Sequence, residues 1–136
     1  MQFAYEVLAQ IGRASESLDE PEWYEIMTEI LMALDVKTVS MQLIQTWFYI
    51  RMSAMLGDEL NTQRDFNGDK LLSDKMYRYD SNEKGLVEAV NGEINSEHIK
   101  ILRLVAAKPL SVLLQVGGMG DYLAECLYVS RQHAAL

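Results

Sequence analysis

Apolar residues recur at helical spacing along most of the chain, and this pattern predicts a mainly α-helical protein. In residues 2–14, four apolar side chains share one helix face: Phe3, Val7, Leu8 and Ile11. In residues 19–34, six apolar side chains are expected to point inward: Trp23, Ile26, Met27, Ile30, Leu31 and Leu34. Asp19 is expected to cap this second helix, because Glu22 follows three residues later and Pro21 lies in the first turn.

Residues 38–56 form the most apolar of the predicted helices. Twelve of the 18 residues from Val39 to Leu56 are apolar, and they cover most of the helix circumference. This distribution is typical of a helix that is buried on several sides. Gly57 then supplies a stop signal, and the polar chain after it predicts an irregular loop over residues 57–75.

Residues 76–95 are compatible with two structures. The stretch GLVEAVNGEI, residues 85–94, fits a short helix that ends at Asn91-Gly92 or a β-hairpin that turns there. We favour the helix. A further helix is predicted over residues 96–107, with Ser96 as its cap. A short helical run is predicted after Pro109, and Asp121 is expected to cap a last helix that continues to the last residue. The expected fold is a compact, mainly α bundle of five to seven helices in one domain, residues 1–136, with a small hairpin around residues 76–95 as the alternative.

Composition and charge narrow the classes of function. The single cysteine, Cys126, excludes a disulfide within the chain, so we expect a reducing, cytoplasmic location. No stretch is apolar enough to predict a membrane span or a signal peptide. Of the net charge of −8, residues 1–60 carry −7 (10 acids, 3 bases) and residues 61–136 carry −1 (10 acids, 9 bases). Nucleic-acid binding depends on clustered Lys and Arg, so a nucleic-acid partner is not expected.

The stretch DFNGDKLLSD, residues 65–74, has the beginning of a calcium loop. Counted from its first residue, oxygen ligands fall at positions 1, 3 and 5: Asp65, Asn67 and Asp69. A calcium loop needs glycine at position 6 and a bidentate glutamate at position 12, where this chain has Lys70 and Met76. We therefore favour a polar Asn-Gly turn, in which Gly68 adopts positive φ.

Catalytic and transition-metal chemistry is not predicted from the remaining groups. The two histidines, His98 and His133, and Cys126 form none of the short ligand or nucleophile–base spacings. We expect no catalytic residues, no metal and no cofactor, and hence a protein that is not an enzyme.

The segment LAECLYVSRQHAAL, residues 123–136, resembles the middle of a helix-turn-helix of the bacterial repressor family. Val129 would then be the apolar residue of the turn and Ser130 the cap of the recognition helix, with base contacts from Arg131, Gln132 and His133. The resemblance implies a DNA-binding regulator that uses residues 121–136. We favour the alternative, a single continuous helix with Leu123, Leu127 and Ala134 inward.

Two features favour protein–protein contact. Residues 16–29 hold six acids and no base, and such a face can meet a basic partner. Methionine and aromatic residues are concentrated in the second and third predicted helices, where they exceed what a small core needs. We therefore predict a non-enzymatic, acidic interaction module (an adaptor, inhibitor or assembly subunit) that binds a protein with a basic surface or a second copy of itself. The predicted contact residues are Glu22, Glu25, Glu29, Trp47, Arg51 and Met55.

Overall fold

The computed structural model describes residues 20–34 and 40–134, and in these ranges the chain is mainly helical with one small antiparallel hairpin. The helices are α1 Glu20–Leu34, α2 Met41–Met55, α3 Ser96–Ala107, α4 Leu110–Leu113 and α5 Leu123–His133, and a 3-10 turn, Gly120–Tyr122, precedes α5. The strands are β1 Tyr77–Asp80 and β2 Gly85–Glu88. Across these described ranges, every helix falls short of the length and apolarity needed to cross a bilayer. The predicted helix over 2–14 and the predicted cap Asp19 lie outside the described residues.

Helix α2 is the centre of the core, as its apolar circumference predicts. Nine of its 15 residues are buried, and α1, α3 and α5 all pack against it. The helix begins where the Ser40 hydroxyl accepts a hydrogen bond from the Leu43 N–H (3.3 Å), an N-cap. It ends just before Gly57, whose φ of 82° is readily adopted only by glycine, so the predicted stop is confirmed.

Helix α1 packs on this core through one narrow stripe. Ile26, Ile30 and Ala33 are buried. Leu31 is 57% exposed, so its predicted inward position is wrong; it follows Ile30 by 100° around the helix and therefore leaves the buried stripe. Three large apolar side chains of α1 consequently face outward: Tyr24, Leu31 and Met32.

The hairpin corrects the favoured interpretation of residues 76–95. Strands β1 and β2 pair antiparallel from Tyr77 opposite Glu88 to Asp80 opposite Gly85. The turn therefore lies at residues 81–84, so the predicted helix is wrong, and so is the turn at Asn91-Gly92 in the hairpin alternative. The Asp80 carboxylate accepts the N–H groups of residues 82 and 83 (2.9 and 3.1 Å), which holds the turn closed. These two hydrogen bonds lower the pKa of Asp80, and the bond from the residue 83 N–H has the larger effect.

The Asn91-Gly92 dipeptide has a different role. The Gly92 N–H donates to the Ala89 carbonyl (2.9 Å), which turns the chain back so that Ile94 exchanges two backbone hydrogen bonds with Tyr77 (2.9 Å each). Gly92 passes so close to β1 that a Cβ atom there would lie 2.2 Å from the Tyr77 carbonyl oxygen. Only glycine fits this close approach.

A polar network centred on the buried His133 joins the hairpin to the helices. His133 lies between the Tyr79 hydroxyl (2.7 Å from Nδ1) and the Asp58 carbonyl oxygen (2.6 Å from Nε2). A carbonyl oxygen can only accept, so Nε2 carries a proton, and in the neutral imidazole the Tyr79 hydroxyl donates to Nδ1. Lys84 forms an ion pair with the Asp58 carboxylate. Burial, assisted by nearby Asp58 and Asp80, raises the pKa of Tyr79 to about 12, so the phenol remains protonated and able to donate.

The caps of the last two long helices differ from those predicted. Asn95, not Ser96, caps α3: its side-chain oxygen accepts from the N–H groups of residues 97 and 98 (2.9 and 3.3 Å), and His98 Nδ1 accepts from the Asn95 N–H (3.0 Å). This reciprocal pair is a capping box in which histidine replaces the usual glutamate. Tyr122, not Asp121, occupies the N-cap of α5, and it makes no side-chain capping bond.

Candidate partner-binding cleft

Helix α1 places three carboxylates beside α2. Glu22, Glu25 and Glu29 are separated by three and four residues and therefore share one side of α1. Glu22 and Glu25 are exposed. Glu29 is half-buried, and its carboxylate accepts the N–H of Leu110 at the start of α4 (2.8 Å). Of these three predicted contact residues, Glu29 therefore has a structural contact within the protein.

Helix α2 supplies the floor opposite these carboxylates. Trp47 is 2% exposed, and its indole N–H donates to the Lys108 carbonyl oxygen (3.1 Å). Because its ring is covered, Trp47 supports the cleft from below and offers little surface to a partner. Met55, one of the predicted contact residues, is half-buried at the far end of the same side of α2.

Arg51 anchors α2 to the end of α3. Its Nε donates to the Val105 carbonyl oxygen (3.2 Å) and its Nη2 to that of Lys108 (2.5 Å). The guanidinium carbon also lies 5.3 Å from the centre of the Trp47 ring, within cation–π range. Burial lowers the pKa of Arg51 from its usual value, and the negative charge of Glu29 opposes this shift. The side chain is therefore a fixed cation that holds carbonyl groups at the C-terminal end of α3.

These elements enclose one cleft with a volume of about 420 Å³, which we call the acidic cleft. All six predicted contact residues line it, together with Ile26, Ile50, Ala54, Glu59 and Ala106. The structure thus brings together residues from two separate helices that the sequence could only group by composition. Four carboxylates and one arginine line the acidic cleft, and an excess of negative charge favours a cationic occupant.

Glu59 is the charged lining residue that the sequence prediction missed. It is exposed in the loop after α2, and no periodic pattern in that loop indicates which way a side chain faces. Its position follows from the end of α2 at Met55 and from the positive φ of Gly57, which redirects the chain. The stop signal at Gly57 predicts where α2 ends, but it does not predict the direction of the chain after Gly57, because that direction depends on how the loop packs.

The segment that resembles a helix-turn-helix has a different geometry. Residues 123–133 form one uninterrupted helix, so the helix-turn-helix prediction for residues 121–136 is wrong for the described part of that segment, and the continuous helix that we favoured is confirmed. Of the predicted DNA-contacting residues, Ser130 and His133 are buried and hydrogen-bonded within the protein, where they cannot reach base edges. Arg131 and Gln132 are exposed, and the Arg131 guanidinium carbon lies 5.7 Å from the Tyr49 ring centre.

The DFNGDKLLSD stretch is a hydrogen-bonded turn. One oxygen of the Asp65 carboxylate accepts the N–H groups of Asn67 (2.9 Å) and Asp69 (3.0 Å), and Gly68 has a φ of 88°. The predicted Asn-Gly turn is therefore confirmed. Within residues 20–34 and 40–134, His, Cys, Asp and Glu side chains form no group of three or more that could hold a metal ion.

We find no significant match of this chain to a protein-family model, to a curated protein sequence or to a solved structure. The residues of the acidic cleft and their contacts are therefore the basis for inferring a function.

Proposed function

We propose that this protein is a protein-interaction module whose acidic cleft binds a Lys- or Arg-bearing segment of a partner protein. The observation that carries the proposal is the convergence of four glutamates, three from α1 and Glu59 from the loop after α2, on one cleft of about 420 Å³. A carboxylate-lined concavity raises the local concentration of cations and steers a basic partner toward it.

The cleft has features that suit an anchoring side chain. Ala54 is exposed and Met55 half-buried above the buried Trp47 and Ile50, so the methylene stem of lysine or arginine packs against Ala54 and Met55 while its charged end meets the glutamates. Hot spots in protein interfaces commonly combine a buried pocket with a desolvated charged pair. Hydrogen bonds to two carbonyl oxygens keep Arg51 at the α3 side of the cleft, so it does not move across to neutralise Glu22 and Glu25.

The exposed face of α1 extends the proposed binding surface beyond the acidic cleft. Tyr24, Leu31 and Met32 are 73, 57 and 65% exposed, and they lie on the same helix as the glutamates. Exposed aromatic and methionine side chains beside a charged rim are common in protein interfaces. We therefore expect the partner to cover α1 as well as to enter the acidic cleft.

A charge-matched experiment tests this proposal. In the cleft variant, Glu22, Glu25 and Glu59 are replaced by lysine; Glu29 is retained because it caps α4. In the control variant, three exposed acids outside the cleft are replaced by lysine: Asp74, Glu83 and Asp121. Both variants change the net charge by the same amount.

Binding of a Lys/Arg-containing peptide library is then measured by fluorescence anisotropy at low and moderate salt. We expect library members that bind the wild type to lose at least tenfold in affinity for the cleft variant and less than threefold for the control variant. Equal losses in the two variants would show that net charge alone attracts the peptides, and the proposed role of the acidic cleft would be wrong.

A further inference from the structure

A second groove lies at the first turns of α3, whereas the acidic cleft contacts this helix only near its C-terminal end, at Ala106, and this groove has the opposite charge. It has a volume of about 330 Å³ and is formed by the loop at residues 70–73 and the first turns of α3. We call it the basic groove, and its lining residues are Lys70, Leu71, Leu72, Ser73, Ser96, Ile99, Lys100 and Arg103. Three of these eight residues are cationic and none is acidic, although the whole chain carries 20 acids and 12 bases.

Both walls of the basic groove are fixed to the body of the protein. The Leu72 N–H donates to the buried Tyr77 hydroxyl (2.9 Å), and the Leu71 N–H donates to the Gln63 carbonyl oxygen (3.0 Å). On the opposite wall, Ile99 is 3% exposed and anchors the first turns of α3 in the core. The groove is therefore preformed, which reduces the entropy cost of binding.

The cations of the basic groove have few partners of their own. Arg103 donates its Nε to the Thr62 carbonyl oxygen (2.8 Å), and among the described residues its two Nη groups make no hydrogen bond. Lys70 forms no ion pair with any described residue. Lys100 lies 3.3 Å from the Glu97 carboxylate, but both side chains are about half exposed or more. Such surface pairs contribute at most about 1 kcal/mol and are readily exchanged for a stronger anion.

The helix geometry concentrates these charges. Ser96, Lys100 and Arg103 are separated by four and three residues, so they share one side of α3. Like charges at this spacing destabilise a helix, and Ser96 lies at the helix end where the backbone dipole is positive. The repulsion between Lys100 and Arg103 disfavours this arrangement in the empty protein; a bound anion relieves that repulsion and is also attracted by the helix dipole.

We propose that the basic groove binds the phosphate group of a small organic phosphate ester. Three cations, with the Ser73 and Ser96 hydroxyls as further donors, match a group with two negative charges and three terminal oxygens better than a single carboxylate. Leu72, 45% exposed at the rim, offers an apolar surface to the carbon part of the ester. The volume of the groove lies at the lower end of the range for small-ligand sites, so the ester is small.

The first test is an amide chemical-shift titration of the full chain at constant ionic strength. Inorganic phosphate, glycerol 3-phosphate and phenyl phosphate are the probes, and chloride, glycerol and phenol are the controls. We expect saturable shifts confined to residues 70–73 and 96–103 with all three phosphates, and tighter binding of at least one ester than of inorganic phosphate. If chloride produces the same shifts at the same ionic strength, or if no shift saturates, the proposal is wrong.

Matched lysine variants provide the second test. Lys70→Gln combined with Lys100→Gln removes two groove cations that are exposed, and we expect at least a tenfold weaker affinity for the best ester. The control combines Lys75→Gln with Lys84→Gln, two lysines outside the groove, and we expect less than a twofold change. Equal weakening in the two double variants would contradict the proposal.

Measuring the mass of the protein in solution tests whether a second copy of the chain, rather than a phosphate ester, occupies the basic groove. A second copy of this chain could place its acidic α1 against the basic groove. A dimer that dissociates when Lys70 and Lys100 are replaced, in a protein that binds none of the phosphates, would assign the groove to self-association and overturn the phosphate proposal. This inference does not depend on the acidic cleft, because the two sites share no lining residue.

Discussion

At Gly92 the absence of a Cβ atom allows the chain to pass directly against the backbone of Tyr77. The nearest backbone atoms would lie 2.2 to 2.9 Å from an added Cβ, distances at which the backbone itself must move. Other glycines differ from Gly92. Gly118 has a φ of 82°, a conformation that favours glycine, whereas Gly117 has an ordinary φ and open space around it, so nothing there requires glycine. Replacing glycine by alanine is therefore expected to change the free energy of unfolding by a different amount at each of the three positions.

We expect Gly92→Ala to lower the free energy of unfolding by about 1–3 kcal/mol, because the added methyl group displaces β1 from its pairing with Ile94. The measurement is urea unfolding followed by circular dichroism. Gly117→Ala is the matched control and should change the free energy of unfolding by less than about 0.5 kcal/mol. Equal effects at the two positions would show that the close approach to Tyr77 does not limit stability.

Cys126 illustrates how burial controls reactivity. Its side chain is 0% exposed, and burial, with a contribution from Glu125, raises the pKa of the thiol to about 12 from an ordinary value of 9.0. Since the thiolate is the reactive form, a shift of this size reduces its fraction at pH 8 roughly a thousand-fold.

We therefore expect iodoacetamide to alkylate Cys126 in the folded protein at least a hundred-fold more slowly than in 8 M urea at the same pH. Mass spectrometry after timed quenching measures both rates. Fast alkylation under folding conditions would mean that α5 opens or that the thiol is less shielded than its contacts indicate.

At the scale of elements, the hairpin depends on a side-chain network rather than on its own length. Strands β1 and β2 have four residues each, and an isolated two-stranded hairpin is marginally stable in water. Tyr79 of β1 is hydrogen-bonded to His133 of α5, and Lys84 of the turn is paired with Asp58 after α2. These contacts, with the burial of Leu86, fix the hairpin to the helical body.

The Tyr79 contact predicts a dependence of stability on alkaline pH. The pKa of Tyr79 rises from an ordinary value of 10.0 to about 12 on folding, so the folded state retains a proton that the unfolded state loses. This contribution to stability is complete below pH 10 and is lost between pH 10 and pH 12. Across that window, we expect the free energy of unfolding of the wild type to fall more steeply than that of Tyr79→Phe. Parallel declines in urea titrations at several pH values would contradict this assignment.

Much of the helical framework could be predicted from the sequence, because periodicity and caps act locally. The stop at Gly57, the apolar circumference of α2 and the continuity of α5 depend on neighbouring residues only. The hairpin could not be placed in the same way. Its turn, SNEK, lacks the usual Asn-Gly signal and is closed by Asp80, while the apparent signal at Asn91-Gly92 serves the approach to Tyr77. Long-range packing decided between two locally acceptable structures.

The candidate site was predictable in part for the same reason. Helical spacing placed Glu22, Glu25 and Glu29 on one side of α1, and composition pointed to Trp47–Met55, but only the packing of α1 on α2 joins them in one cleft. The role of Glu29 could not be predicted, because the Leu110 N–H that donates to its carboxylate lies 81 residues away in the sequence. No local pattern distinguishes such a capping glutamate from a solvated one.

At the scale of the whole molecule, α2 is the element through which the others are connected. The last turn of α3 contains no basic residue, and carbonyl groups at this end are satisfied by Arg51 and Trp47 of α2 instead. Helix C-terminal ends usually obtain such partners locally, from a glycine turn or a nearby cation. Here the partners are tertiary, so α2 stabilises the end of α3 in addition to the local hydrogen bond from the Lys108 N–H to the Leu104 carbonyl oxygen.

We expect Arg51→Ala to lower the free energy of unfolding by about 1–3 kcal/mol, because it removes charged hydrogen bonds to two carbonyl oxygens and exposes the Trp47 ring. Arg131→Ala is the matched control, an exposed arginine that also lies over an aromatic ring, and should cost less than about 1 kcal/mol. Chemical denaturation followed by tryptophan fluorescence compares the two. A loss at Arg131 as large as that at Arg51 would remove the special role of the tertiary cap.

The packing of α2 against α5 has a consequence for the kinetics of folding. These two helices form the most extensive contact between elements in the described structure, yet the chain from residue 56 to residue 122 lies between them. Closing so long a segment carries an entropy cost that must be met before the contact contributes any stability. Proteins dominated by such distant contacts cross their transition state slowly. We therefore expect this helical protein to fold more slowly than helical bundles in which each helix packs against the next along the chain.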